Sequence, residues 1–212
     1  MEVKHLAFDL DGVIVEALDI HRESFVQAWN EVVGHIWPLT KAFHNENIAS
    51  LSTRQKVATL RLLARITDAE ALEVERRKQE LTSFHIDFAP PTVPWLAGLI
   101  ASFRADGRKI ALVSNSIRMT CERVLANLGL TDLFDVIVSS SDVAMNKPDP
   151  QPYETAAALL GLETSQVVAL EDSVPGLRSA KAAGCWVYVV TIPNHDLLEG
   201  KLREWLKNVD DA

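Results

Sequence analysis

Two acids, Asp9 and Asp11, stand two positions apart at the end of the first apolar run, in AFDLDGVIVE (7–16). Carboxylates brought together where water is scarce repel and raise one another's pKa, so the pair needs something positive beside it. A Mg2+ ion suits them: it takes hard oxygen ligands, uses one or two carboxylates and keeps room for water and phosphate. Alone, a D-x-D at the end of an apolar run is also an ordinary surface turn. Three more polar groups follow at the ends of later apolar runs. Ser114-Asn115-Ser116, after KIALV, offers hydroxyls and main-chain N–H groups where a helix begins, which suits a phosphate and equally suits simple N-capping. Lys147 precedes a proline that restrains its backbone, although a solitary lysine is usually solvated. Glu171-Asp172-Ser173, after VVAL, is either a second acidic site or a cap with surface charge. Acids, hydroxyl with amide, lysine and acids again at four successive strand ends form an order that chance capping explains poorly.

The elements that must position these groups are legible as apolar runs. HLAFDL (5–10), KIALVS (109–114), DVIVSS (135–140), VVALED (167–172) and WVYVVT (186–191) read as strands, apolar on both faces, as in a parallel sheet covered on two sides. Helical periodicity lies between them at about 95–106, 117–128, 150–161, 174–183 and 196–207. Ser173 can cap the helix opened by Val174 and Pro175, and Gly184 can close it. Gly12 allows the chain to turn just after the paired acids. The alternation predicts an α/β fold with a parallel sheet, whose ligands sit beyond the carboxyl ends of the strands.

Residues 16 to 84 break this rhythm. HRESFVQAWNEVVG, TRQKVATLRLLARI and DAEALEVERRKQEL carry amphipathic helical patterns with no strand among them. The expected organisation is a core of residues 1–15 and 88–212 and an inserted helical cap of residues 16–87, with the proline-rich DFAPPTVP (87–94) as a stiff return linker. The run VERRKQE reads as a solvated face, Trp29, Trp37 and Trp95 as packing residues, and NVDDA (208–212) as a frayed acidic tail.

Composition narrows the partners. The 212 residues are 48% hydrophobic and 24% charged, typical of a soluble globular protein. A net charge of −8 disfavours nucleic acid and anionic membranes as partners without excluding a small anionic substrate. No run is long enough to cross a bilayer, and the N-terminus lacks the features of a signal peptide, so a cytoplasmic location is expected. Cys121 and Cys185 have neither metal-ligand nor disulfide-framework spacing and read as small core residues.

DLDGV (9–13), SNS (114–116), NKPDP (146–150) and EDS (171–173) resemble, in order and spacing, the four motifs of the haloacid dehalogenase-like (HAD) hydrolase superfamily. The resemblance covers essentially the whole chain. It is closest to the helical-cap branch that includes beta-phosphoglucomutase and phosphoglycolate phosphatase, and implies a Rossmann-like core. It further implies that Asp9 is the nucleophile forming an aspartyl-phosphate and Asp11 the general acid and then base. Ser114 and Asn115 would hold the phosphoryl group, and Lys147 would neutralise it. Asp9, Asp11, Glu171 and Asp172 would bind Mg2+, Asp11 through its main-chain carbonyl and Glu171 through a metal-bound water. An acid at position 11 favours phosphotransfer over carbon–halogen hydrolysis.

In the cap, His21 matches the position of a histidine that couples closure to acid–base chemistry in beta-phosphoglucomutase, and Arg54 that of an arginine that binds the substrate's distal phosphate there; as substrate-binding candidates they read equally well as a solvated histidine and a locally paired arginine. Glu16 and Ala17 depart from the mutase pattern. The expected activity is a Mg2+-dependent phosphatase on a small phosphorylated metabolite, a sugar phosphate or phosphoglycolate-like acid, acting as a monomer or weak dimer. The alternatives are a beta-phosphoglucomutase-type mutase and a catalytically silent binding protein. Phosphonate cleavage would require a desolvated cap lysine, for which Lys41 and Lys56 are the candidates.

Overall fold

Strand β1 (His5–Phe8) lies at the centre of a five-stranded parallel sheet ordered β3-β2-β1-β4-β5, with β2 at Ile110–Val113, β3 at Val136–Val138, β4 at Val167–Glu171 and β5 at Trp186–Val189. The computed structural model describes residues 4–49, 51–87, 94–191 and 195–210. The register sets Phe8 beside Leu112 and Leu170, so the carboxyl ends of the three inner strands finish level. Side chains alternate between faces. Ala7, Ala111, Val113, Val167 and Ala169 pack on one face against Tyr153, Ala156, Ala157, Leu160 and Ala180 of helices α7 (Gln151–Leu160) and α8 (Val174–Ala183). Leu6, Phe8, Ile110, Leu112, Val168 and Leu170 point the other way and are fully buried as well. This matches the doubly apolar strands of the sequence. The edge strand β5 is the exception, with Trp186 and Val189 exposed.

Each strand is shorter than its apolar run. β1 stops at Phe8 because the Leu10 carbonyl accepts from the N–H groups of Ile14 and Val15, closing a turn with Gly12 at φ +88°. Ser173 caps α8 by accepting from the Gly176 N–H, and Gly184 ends it in the left-handed conformation, as the sequence predicts. Helix α9 (His195–Asp210) extends further than the periodicity suggested. The expected frayed tail is corrected: Val209 is buried, and the Asp210 carboxylate pairs at 2.5 Å with Arg108 Nη2 and accepts from the Lys4 N–H, so the helix holds to Asp210.

The chain divides into two compact units, Met1–Glu16 with Pro91–Ala212, and Ala17–Pro90. The second is helical: α1 (Leu18–Val33), α2 (Lys41–Asn47), α3 (Thr53–Ala64) and α4 (Asp68–Asp87). Phe25, Trp29, Val33, Val57, Leu60 and Val74 form its core. Trp29 is fully buried and donates to the Trp37 carbonyl, so both tryptophans pack as expected. The linker at 88–93 and the Trp95 side chain lie outside the described residues. Among the described residues, no helix is long and apolar enough to cross a membrane.

Helix α2 was missed because seven residues are too few for clear periodicity; its signal is the Thr40 cap, which accepts from the Phe43 N–H. The VERRKQE run is solvated only in part. Arg76 and Arg77 pair with Glu73, Glu80 and Glu31 at the surface, but Lys78 turns inward and is 6% exposed.

Candidate active site

At the carboxyl ends of β1, β2 and β4 the fold gathers Asp9, Ser114, Glu171 and Asp172, and the loop after β3 adds Lys147. Asp9 is held at the strand end by its N–H bond to the Leu170 carbonyl. Lys147 is 7% exposed, and its Nζ lies 2.9 Å from Asp9 Oδ1, 2.5 Å from Glu171 Oε1 and 2.7 Å from the Val113 carbonyl. These three acceptors match the three protons of an ammonium. Asn115 fixes the backbone of this lysine: its side-chain amide donates to the Lys147 carbonyl and its side-chain oxygen accepts from the Lys147 N–H, at 3.1 and 3.0 Å. The Asn115 side chain is therefore committed to Lys147.

Burial, and then the charge of Glu171, push Asp9 well above the usual carboxylate range, with Lys147 opposing them. Burial would lower Lys147, but Asp9 and Glu171 outweigh it and hold the ammonium above its ordinary value. Burial and the neighbouring Glu171 raise Asp172 to about 6.

Asp9, Glu171 and Asp172 each present a carboxylate oxygen within 4.8 Å of the others, a grouping able to hold a cation. Among the described residues, Asp172 Oδ1 is a buried acceptor without a hydrogen-bond partner. Such an atom is costly unless something positive meets it. Gly12 lies against the same carboxylate, and a Cβ there would overlap it. The donor set is all oxygen and acidic, which fits Mg2+. The Asp11 carboxylate takes another partner, accepting from Ser116 Oγ at 3.1 Å. Ser114 is 3% exposed, and its Oγ accepts from the Ser116 N–H.

Tyr153 escaped the sequence reading. It is fully buried on α7, and its hydroxyl donates to Glu171 Oε1 at 2.6 Å. Burial and Glu171 raise the phenol well above its ordinary value, so it remains a donor. Its one sequence signal is a tyrosine on the apolar face of a helix, since a buried hydroxyl needs a partner. Gly176 was also unremarked; a Cβ there would strike the Glu171 carboxylate.

His21 and Arg54 belong to the helical unit. His21 Nδ1 lies 3.0 Å from Lys78 Nζ. Arg54 is exposed on the first turn of α3, behind the Ser52–Gln55 capping box. Of the two lysines considered for amine chemistry, Lys41 is exposed and pairs with Glu23, whereas Lys56 is buried. Cys121 is buried and both cysteines are free thiols, each pushed by burial up to about 12.

Residues 3–184 match the haloacid dehalogenase-like hydrolase model. The chain belongs to this family of hydrolases. Beta-phosphoglucomutase of Bacillus subtilis (strain 168) is 28% identical over 188 residues, covering 86% of this chain and 80% of that protein. The fructose-1-phosphate phosphatase YqaB of Escherichia coli (strain K12) is 30% identical over 180 residues, covering 84% and 92%. A crystal structure of a CbbY mutant from Rhodobacter sphaeroides in complex with xylulose-(1,5)-bisphosphate superposes with a TM-score of 0.76 at 25% identity, covering 88% of this chain and 85% of that one.

Proposed function

We propose that the protein is a Mg2+-dependent phosphatase that hydrolyses a small phosphorylated metabolite through an aspartyl-phosphate on Asp9. The observation that carries this reading is the convergence of Asp9, Lys147, Glu171 and Asp172 at the carboxyl edge of the sheet, with one ammonium among three acids. An anionic nucleophile and an anionic phosphate repel, and a fixed ammonium beside Asp9 reduces that repulsion. Asp9 and Asp172 would hold the metal, with Glu171 and the Asp11 main-chain carbonyl beside them. When bound, Mg2+ supplies positive charge to the transferring phosphoryl group.

Asp9 attacks phosphorus while Asp11 protonates the leaving oxygen. Asp11 then removes a proton from the water that releases phosphate. Ser114 and the Asn115 main-chain N–H hold the phosphoryl oxygens, and the Asn115 side chain keeps Lys147 in place.

The test is a phosphate-release screen over sugar phosphates, phosphoglycolate and nucleotides, with Mg2+ and with chelator, repeated on Asp9→Asn. Turnover that needs both metal and Asp9 supports the reading; turnover indifferent to either overturns it. A phosphosugar mutase is the second reading, favoured by the likeness to beta-phosphoglucomutase. Bisphosphate-primed interconversion of hexose phosphates outrunning hydrolysis would select it.

A further inference from the structure

In Ser114-Asn115-Ser116 the first two residues have tasks in the proposed reaction and the third has none. Ser116 is nevertheless firmly held. Its N–H donates to Ser114 Oγ at 3.0 Å, and its carbonyl accepts from the Ser140 N–H at 3.0 Å and from the Cys121 thiol at 3.8 Å. With the main chain pinned on both sides, the hydroxyl keeps only the rotation about its own Cα–Cβ bond. It uses that freedom to donate to Asp11 Oδ2 at 3.1 Å, joining the loop after β2 to the loop after β1 across 105 positions of sequence.

Asp11 gains direction from this bond. It lies past the end of β1 at Phe8, in the turn where the Leu10 carbonyl accepts from the Ile14 and Val15 N–H groups, so the sheet does not aim its side chain. A group that hands over a proton must lie within hydrogen-bond reach of the oxygen that receives it. A small misplacement of such a group can cost about 10^2-fold in rate. A hydroxyl can donate to one carboxyl oxygen whether or not the other oxygen carries a proton. Ser116 can therefore stay on Oδ2 through a whole turnover and leave Oδ1 for the proton.

We propose that Ser116 is a positioning residue that aims the Asp11 carboxyl, first at the leaving oxygen and then at the attacking water. The inference rests on the phosphatase reading and adds a residue to it. In the first transfer Asp9 bonds to phosphorus and the bond from phosphorus to the ester oxygen breaks. That oxygen keeps the electron pair and takes the proton from Asp11 Oδ1. In the second transfer a water oxygen bonds to phosphorus while its proton passes to Asp11 Oδ1, and the bond between Asp9 and phosphorus breaks with its electron pair returning to Asp9. Ser116 keeps its own proton throughout.

The test compares two esters on the full chain with Mg2+ present. 4-Nitrophenyl phosphate has a leaving group that departs with little help from an acid; benzyl phosphate releases an alkoxide that needs the proton. The quantity measured is kcat/KM, which covers the steps up to loss of the alcohol and leaves out the release of phosphate common to both esters. Ser116→Ala should lower it about tenfold for benzyl phosphate and less than about threefold for 4-nitrophenyl phosphate. Asp11→Asn should split the two esters further in the same direction, since a general acid contributes about 10^2–10^4-fold.

A purely structural role for Ser116 would lower both esters alike. Equal losses in Ser116→Ala, or no loss, overturn the inference. Ser116→Cys fills nearly the same space with a weak donor and should repeat the split, so the outcome does not depend on the alanine variant folding. Asp9→Asn in the same assay separates two kinds of failure. If Asp9→Asn keeps its turnover, the aspartyl-phosphate reading falls and the role of Ser116 falls with it. If Asp9→Asn loses turnover while Ser116→Ala lowers both esters equally, only the role of Ser116 is lost.

Discussion

Lys147 and Lys56 are both shielded from water, at 7% and 8% exposure, yet their surroundings are opposite. Lys147 stands between Asp9 and Glu171 and is held above its ordinary range; Lys56 stands beside His44, and burial and then Lys78 draw it down to about 8. Burial alone would push both the same way. The difference lies in the neighbours. The first lysine is part of a completed charge set, and its loss exposes two acids to each other. Among the described residues, no acid acts on the second.

The largest effect expected is on activity. Asp9→Asn should reduce metal-dependent phosphate release roughly 10^3-fold or more, as for the loss of other covalent nucleophiles, measured against the best substrate of the screen. Lys147→Met should come next. It leaves Asp9 and Glu171 without their cation, and removing one partner of a buried pair costs about 3–5 kcal/mol, which denaturant unfolding would read. If Lys147→Met were as stable as the wild-type protein, the contrast between the two lysines would fail.

Tyr153→Phe sharpens the comparison on the acid side. Glu171 loses a buried donor, a change of about 1–3 kcal/mol, visible in unfolding and as weaker Mg2+ dependence of turnover. On the basic side, burial and Lys56 hold His44 at about 4 against an ordinary 6.5. Between those values the unfolded chain binds a proton that the folded chain does not. Stability should therefore fall as pH drops through that window, by up to about 1.4 kcal/mol per pH unit. His44→Gln should flatten that part of the curve. Smallest of all, Lys56→Met should be neutral or stabilising by about 1 kcal/mol at neutral pH, because it removes a charge that no described acid meets.

How much could be read in advance follows the range of the interactions. Strands β1 to β5 and the groups at their ends were legible because each is a local pattern, an apolar run stopping at a polar residue. The Ser173 cap and the Gly184 stop were local in the same way. Tyr153 was not, since its partner Glu171 is 18 positions away and the bond depends on how α7 packs beneath the sheet. Lys78 was hidden by its own neighbours: in a run of charges nothing local shows which one faces inward, and His21 lies 57 positions away. The helical end at Asp210 depended on Arg108, 102 positions distant. Arg54 illustrates the converse, a residue singled out by resemblance that the fold leaves exposed on a capped first turn.

Two missing methyl groups carry a practical lesson for anyone redesigning this molecule. Positions 12 and 176 have no room for a Cβ, because the carboxylates of Asp172 and Glu171 occupy those volumes. A mutagenesis library that keeps both glycines leaves the grouping of Asp9, Glu171 and Asp172 uncrowded. Randomising either glycine would fill the library with clones disabled by crowding alone.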